Sequence, residues 1–81
     1  IEGVRALAQQ FGEKAQTVED VISTISGQVQ SVDLKGTDAD QFKSEWEGTL
    51  SYQLRNVADA LRQAQTTANN NADEQEQASG H

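Results

Sequence analysis

Apolar residues recur along the first part of the chain at spacings that alternate between four and three. They are Val4, Ala8, Phe11, Ala15, Val18, Ile22, Ile25, Val29 and Val32. This heptad spacing places the side chains along one stripe of an α-helix. The pattern predicts a long first helix over residues 3–33, on the order of 45 Å at about 1.5 Å per residue. Leu7 and Val21 widen the stripe, which favours contact with more than one helix.

A short turn and a second apolar pattern follow. Gly36 suits the left-handed turn that follows a helix end, and Thr37 with Asp40 forms a candidate capping box for the next helix. The second pattern comprises Ala39, Phe42, Trp46, Leu50, Leu54, Val57, Leu61, Ala64 and Ala68. It predicts a turn over residues 34–37 and a second helix over residues 38–72.

The brevity of the turn predicts that the two helices run antiparallel as a hairpin. A hairpin covers only part of each apolar stripe, and monomeric proteins rarely leave such a continuous surface in water. We therefore expect an all-α fold in which this hairpin pairs with a second hairpin into a four-helix bundle. The second hairpin is either another copy of this chain or a paralogue. The spacings of four after Phe42 form a stutter, where regular coiled-coil geometry is expected to relax.

The expected dimer interface combines apolar residues of the first helix with bulky residues near the turn on the second helix. They are Val18, Ile22, Ile25 and Val29 on the first helix and Trp46, Leu50 and Leu54 on the second. For Trp46 the sequence leaves two alternatives equally open, packing inside the hairpin and contact across the dimer, since both favour a large aromatic residue. Gly12, Gly27 and Gly48 lie inside the predicted helices, where each costs about 1 kcal/mol relative to alanine.

The apolar pattern fades after Ala68, and the chain becomes rich in asparagine and then in acidic residues and glutamine. The hairpin domain is therefore assigned to residues 1–77, with a frayed end that passes into a flexible acidic tail over residues 73–81. His81 is the only histidine and follows a Ser-Gly pair. We interpret it as part of a disordered tail or a tag remnant.

Composition restricts the classes of partner. The formal net charge of -7, with only 6 basic residues, would repel nucleic-acid phosphates and anionic lipid. No apolar run approaches the roughly 20 residues of a membrane span, so direct membrane insertion is not expected. The chain has 81 residues, 35% of them hydrophobic, and no cysteine. Such a small domain has a marginal core and gains stability from a partner.

Groups that could carry catalysis or bind a metal are few. Ser44 and Ser51 have no histidine base within the predicted helices, and carboxylates two residues apart, such as Glu45 and Glu47, do not face each other on a helix. With one histidine and no cysteine, neither a metal nor a cofactor is expected. We therefore expect a binding protein, not an enzyme.

The turn and the start of the second helix read Leu34-x-Gly36-x-x-Ala39-x-x-Phe42-x-x-x-Trp46. This signature resembles that of the WXG family, the early-secreted-antigen-like helical hairpins. In that family the turn reads Trp-x-Gly, followed by a small residue and an aromatic one, and Leu34 stands at the position of the first tryptophan. The hairpin plan, length, acidity and lack of cysteine are also similar to the family, so the resemblance covers most of the chain.

The tail is similar to the end of the family subunit that carries a Tyr-x-x-x-Asp/Glu export signal, with Asp73 at the acidic position and Asn69 in place of the tyrosine. The resemblance implies a protein made in the cytoplasm and exported as a folded dimer by a bacterial type VII secretion system, whose membrane ATPase recognises the tail. Since this chain lacks the turn Trp and the tail Tyr, it is expected to rely on its partner for both. The alternative is a cytoplasmic chaperone or adaptor that covers an effector's helical targeting segment.

Overall fold

The computed structural model describes residues 2–32 and 35–79, and this part of the chain is almost entirely helical. Its elements are helix α1 (Glu2–Ser31), helix α2 (Thr37–Glu45), a π-helical segment (Trp46–Leu50) and helix α3 (Ser51–Ser79). Helix α1 packs along α3, with Arg5 beside Asp73 and Glu19 beside Arg62, so the two helices are antiparallel. The prediction of an all-α hairpin is confirmed.

The turn differs from the prediction at the start of α2. Gly36 has φ 98° and ψ 172°, a conformation that is essentially restricted to glycine. The positive φ agrees with the predicted left-handed turn, but ψ lies far from the left-handed helical region at about +47°. Gly36 also occupies the N-cap position, and its carbonyl oxygen accepts a hydrogen bond of 3.2 Å from the backbone N–H of Asp40. The predicted capping by Thr37 was wrong, because Thr37 is already the first residue of α2. Asp33 and Leu34 lie outside the described residues.

The π-helical segment lies at the stutter in the apolar pattern. Leu54 follows Trp46 by eight residues, one more than the seven of a heptad, and the π-helical segment begins at Trp46 and ends at Leu50. The wider i to i+5 turn of a π-helix accommodates the additional residue. Trp46 and Leu54 consequently line the same surface groove.

The core between the two helices is narrow and is built mainly of small residues. Its buried apolar residues are Ala8, Ala15, Ile22 and Val29 from α1 and Ala39, Trp46, Ala58 and Ala72 from the second half of the chain. Alanine contributes little apolar area to a core. Among the described residues no large side chain is fully buried. The hairpin by itself therefore has a thin core.

The glycines within the helices occupy different environments. A Cβ added at Gly12 would lie 2.5 Å from Nε2 of Gln65, so the side-chain amide of Gln65 packs over this glycine. Gly27 and Gly48 have no atom within 4 Å of the corresponding point. These two glycines are therefore not required for helix packing within the hairpin.

We expect the substitution Gly27→Ala to stabilise the hairpin. Alanine has the higher helix propensity by about 1 kcal/mol, and the added methyl group meets no neighbour at Gly27. In a domain of this size that gain raises the Tm by about 4–8 °C, which thermal unfolding followed by circular dichroism would detect. The matched variant Gly36→Ala should lower the Tm, because the φ of 98° is strained for alanine. A lower Tm for Gly27→Ala would indicate that another chain covers this site.

The molecule is a thin rod. Its Cα atoms extend over 67 × 16 × 12 Å. The radius of gyration is 18.5 Å, whereas a compact domain of this length has about 12 Å. The two long helices therefore form a single layer, so a side chain on either surface of that layer is not enclosed by further parts of the described chain.

The end of the chain differs from the prediction. The second helix was predicted to end at residue 72, and this was wrong, because α3 continues to Ser79. Ala72 is buried, and Asp73 and Glu76 form ion pairs with Arg5 of α1. Such a contact between distant residues is not visible in a local apolar pattern. The proposed tag remnant at residues 80–81 lies outside the described part.

Candidate interaction face

One surface of the hairpin is polar and carries ion pairs between the two helices. Arg62 Nη2 lies 2.7 Å from Oε1 of Glu19, and Arg5 Nη2 lies 2.8 Å from Oδ1 of Asp73 and 3.1 Å from Oε2 of Glu76. The hydrogen bond to Asp73, and then that to Glu76, raises the pKa of Arg5 above its ordinary value. These side chains are about half exposed, and exposed ion pairs contribute about 0–1 kcal/mol each. They define the register of the helices and mark what we call the polar face.

Trp46 lies inside the hairpin. Its side chain is buried, and its indole Nε1–H donates a hydrogen bond of 3.0 Å to Oγ of Ser26. Burial of an indole is favourable when its N–H is satisfied in this way. Of the two alternatives left open by the sequence, the structure supports packing within the hairpin.

The opposite surface of the layer is apolar and uncovered, and we call it the open face. It comprises Val4, Leu7, Phe11, Val18, Val21, Ile25 and Val32 of the first half and Phe42, Leu50, Leu54, Val57 and Leu61 of the second half. The relative solvent exposure of its exposed members ranges from 41% for Leu50 to 51% for Leu7, and the other members are half-buried. A contiguous apolar surface of this kind marks an interaction site in a soluble protein.

Helix geometry separates the two faces. Arg5 and Glu19 contact α3 on the polar face, and Ser26, in the same row of α1, contacts Trp46 of the π-helical segment. The preceding residue in each case is rotated by about 100° around the helix axis, which places it on the other side of the buried row of α1. These preceding residues are Val4, Val18 and Ile25. The same relation holds on α3, where Leu61 precedes Arg62. Apolar side chains of both helices therefore share one surface.

Two shallow, mainly apolar grooves cross the open face, beside a more polar groove at its α1 edge that is lined by Thr17, Asp20, Val21, Thr24 and Ile25. One is lined by Ile25, Gln28, Val29, Val32 and Phe42 and crosses from α1 to α2. The other is lined by Trp46, Leu50, Gln53, Leu54 and Val57 along the second half of the chain. Because both grooves are lined mainly by apolar side chains, they are suited to receive the apolar residues of a partner helix.

The residues predicted for the dimer interface divide between the core and the open face. Ile22 at 5%, Val29 at 5% and Trp46 at 7% exposure are covered within the hairpin and present little surface to a partner. Val18, Ile25 and Leu54 are half-buried on the open face, and Leu50 is exposed there. The interface prediction omitted five exposed members of this face, namely Leu7, Val21, Val32, Phe42 and Val57. The widened stripe at Leu7 and Val21 was the sequence signal for the first two.

The residues that carry the family resemblance are also separated. Ala39 and Trp46 are buried, whereas Phe42 is 46% exposed on the open face. In the export-signal-like tail, Asn69 is half-buried, and Asp73 is exposed and paired with Arg5. Leu34 of the turn motif lies outside the described residues.

Within residues 2–32 and 35–79 no group of three or more His, Cys, Asp or Glu side chains is arranged to hold a metal ion. In the same ranges, none of the helices has the length and apolar character needed to cross a membrane. The chemistry that the described side chains offer at the open face is apolar contact.

Comparisons with protein-family models, curated proteins and solved structures found no match to this chain. They neither support nor contradict the resemblance to the WXG family, which stays a prediction from residues 34–46 and 69–73.

Proposed function

We propose that this protein is a binding subunit whose open face pairs with a second helical hairpin, and that the pair is exported as a unit by a bacterial type VII secretion system. The observation that carries the pairing is the open face itself, an apolar surface that runs along both helices. The export part rests on the resemblance of the turn, of the start of the second helix and of the tail to the WXG family. In this proposal the protein acts by recognition and performs no bond chemistry.

The thin core supports the need for a partner. Five of the buried apolar residues are alanines, at positions 8, 15, 39, 58 and 72, while larger residues such as Phe42 and Val57 remain about half exposed. Covering the exposed half of a large apolar side chain contributes about 1 kcal/mol. A partner hairpin laid over the open face would add this contribution at several positions and complete a four-helix bundle.

The residues at the edge of the open face are compatible with a partner whose contact surface is apolar, and they do not require a partner of opposite net charge. On α1 the row of residues beyond Leu7 and Val21 is uncharged. It consists of Gln10, Thr17, Thr24 and Ser31. Each chain carries a net charge of -7. Lys14 lies between Leu7 and Val21 in their seven-residue row, and Asp20 lines a groove with Val21 and Ile25. Another acidic hairpin would therefore meet a charge of each sign at this edge. Both a second copy and a paralogue are compatible with such an edge.

Export is tested in the bacterium that encodes the chain. The wild-type protein is expected in the culture medium and should be retained in the cells when the ATPase of the type VII system is deleted. A variant that cannot pair, Ile25→Asp, should be retained in both strains, because the proposal requires a folded pair for export. The control Ser23→Asp adds the same charge at an exposed residue outside the open face and should be exported.

Secretion that is independent of the ATPase would contradict the export part of the proposal and leave the pairing intact. A stable intracellular complex with an effector, in the absence of any export, would instead identify the protein as a cytoplasmic chaperone or adaptor. In that outcome the open face would cover the effector's helical targeting segment. The secretion ATPase would then not be a partner of the tail.

A further inference from the structure

We propose that Arg5 is an ionic latch that holds the end of α3 against α1 and releases it when its ion pairs are screened. The released part is residues 73–79, which we call the C-terminal arm. This inference concerns the polar face and the helix ends, and it does not depend on the proposed pairing or export.

Apolar burial does not hold the C-terminal arm in place. Ala72, at 0% exposure, is the last buried residue of α3, and residues 73–78 beyond it are all exposed. The arm nevertheless continues the helix to Ser79. Its helical structure therefore requires a contribution other than a hydrophobic core.

The sequence of α3 itself disfavours a helix at this end. Asp73, Glu74 and Glu76 lie near the C-terminus of α3, where negative charge interacts unfavourably with the helix dipole, and the last turn contains no basic residue. The preceding residues 69–71 are three asparagines, which are weak helix formers. These features explain why a frayed tail was the prediction from sequence.

Arg5 supplies from α1 the positive charge that α3 lacks. Its Nη2 lies 2.8 Å from Oδ1 of Asp73 and 3.1 Å from Oε2 of Glu76. Residues three apart lie on the same side of a chain only when that chain is helical, so one guanidinium reaches both carboxylates only while the arm is wound. Docking of the arm and its helical structure are therefore coupled through a single side chain.

The latch is accessible to salt. The side chains of Arg5, Asp73 and Glu76 have exposures of 40%, 59% and 52%. Ion pairs at this level of exposure are weakened by dissolved ions, since the Debye length falls from about 30 Å at 0.01 M to about 3 Å at 1 M salt. The order of the arm should consequently depend on ionic strength and on any other cation that competes for the two carboxylates.

Hydrogen exchange of the full chain, read by mass spectrometry, tests the latch. At about 0.01 M salt, Arg5→Gln should raise the exchange rate of the arm amides by about three- to tenfold, the range expected for loss of exposed ion pairs. The centre of α1 and α3 should exchange as in the wild type. The control Arg55→Gln removes the same charge from an exposed position on α3 and should leave the arm unchanged.

The salt response provides a second readout. In the wild type, raising the salt to about 1 M should accelerate exchange in the arm, whereas in Arg5→Gln it should cause no acceleration. Equal exchange of the arm in Arg5→Gln and Arg55→Gln, or a wild-type arm that does not respond to salt, would overturn the proposal. Faster exchange along the whole chain of Arg5→Gln would also overturn it, because Arg5 would then stabilise the hairpin as a whole.

Discussion

The substitution Trp46→Ala is expected to lower the free energy of unfolding by about 3–5 kcal/mol. Trp46 is 7% exposed in a core that otherwise consists largely of alanines, so its removal leaves a cavity that small neighbours cannot fill. Domains of this kind have a total stability of only about 0.05–0.15 kcal/mol per residue. The loss is therefore a large fraction of the stability of the chain. Chemical denaturation followed by circular dichroism would measure it.

The hydrogen bond and the packing of Trp46 are separated by a control. Ser26→Ala removes the acceptor for the indole Nε1–H but leaves the ring in place, so it should cost about 1 kcal/mol. A loss for Trp46→Ala no larger than that for Ser26→Ala would contradict the position of the ring in the core. It would indicate that the indole contributes through its hydrogen bond alone.

The substitution Ile25→Asp is expected to separate the proposed pair while each hairpin remains helical. Ile25 lies at the open face, where it lines the groove that crosses from α1 to Phe42. A carboxylate buried there against a partner would lack a compensating charge, which costs several kcal/mol. The dissociation constant should therefore rise by at least about 100-fold. Molar mass measured over a range of protein concentrations, together with helicity, would show the change.

Two matched variants distinguish loss of pairing in Ile25→Asp from a general effect of the added charge and from disruption of the core. Ser23→Asp places the same charge on an exposed residue away from the open face and should preserve the pair. Ile22→Asp, at a position that is 5% exposed within the hairpin, should instead reduce helicity, because the charge is forced into the core. If Ile25→Asp and Ser23→Asp had the same molar mass and helicity as the wild type, Ile25 would not be part of an interface.

The spacing of apolar residues was sufficient to predict two antiparallel helices, because a long stripe without proline has few other solutions. It was not sufficient to predict which apolar residues lie in the core of the hairpin and which lie on the open face. Ile22 and Ile25 belong to adjacent rows that repeat every seven residues and are equally apolar, yet Ile22 faces α3 and Ile25 faces outward. The rotation of α1 against α3 decides which of the two rows is covered, and the polar row containing Glu19, which pairs with Arg62, flanks Ile22 on the side away from Ile25. That pairing joins residues far apart in sequence.

The C-terminal arm is a second case in which the local sequence was not sufficient, because a helix formed where the sequence predicted fraying. Local propensity predicted fraying beyond Ala72, since asparagines and acidic residues at a helix C-terminus are unfavourable. The helix continues because Arg5, at the other end of the sequence, meets Asp73 and Glu76. At the stutter, by contrast, the information was local, and the π-helical segment Trp46–Leu50 lies where the spacing of apolar residues changes.

The measurement that tests the central claim most directly is the molar mass of the full wild-type chain by light scattering after size exclusion, with circular dichroism of the same sample. If a second copy covers the open face, the result is a strongly helical particle of about twice the chain mass that dissociates on dilution. If the partner is a paralogue, the isolated chain should be a helical monomer of low thermal stability. A strongly helical, thermally stable monomer at every concentration would contradict the claim that the open face requires a partner.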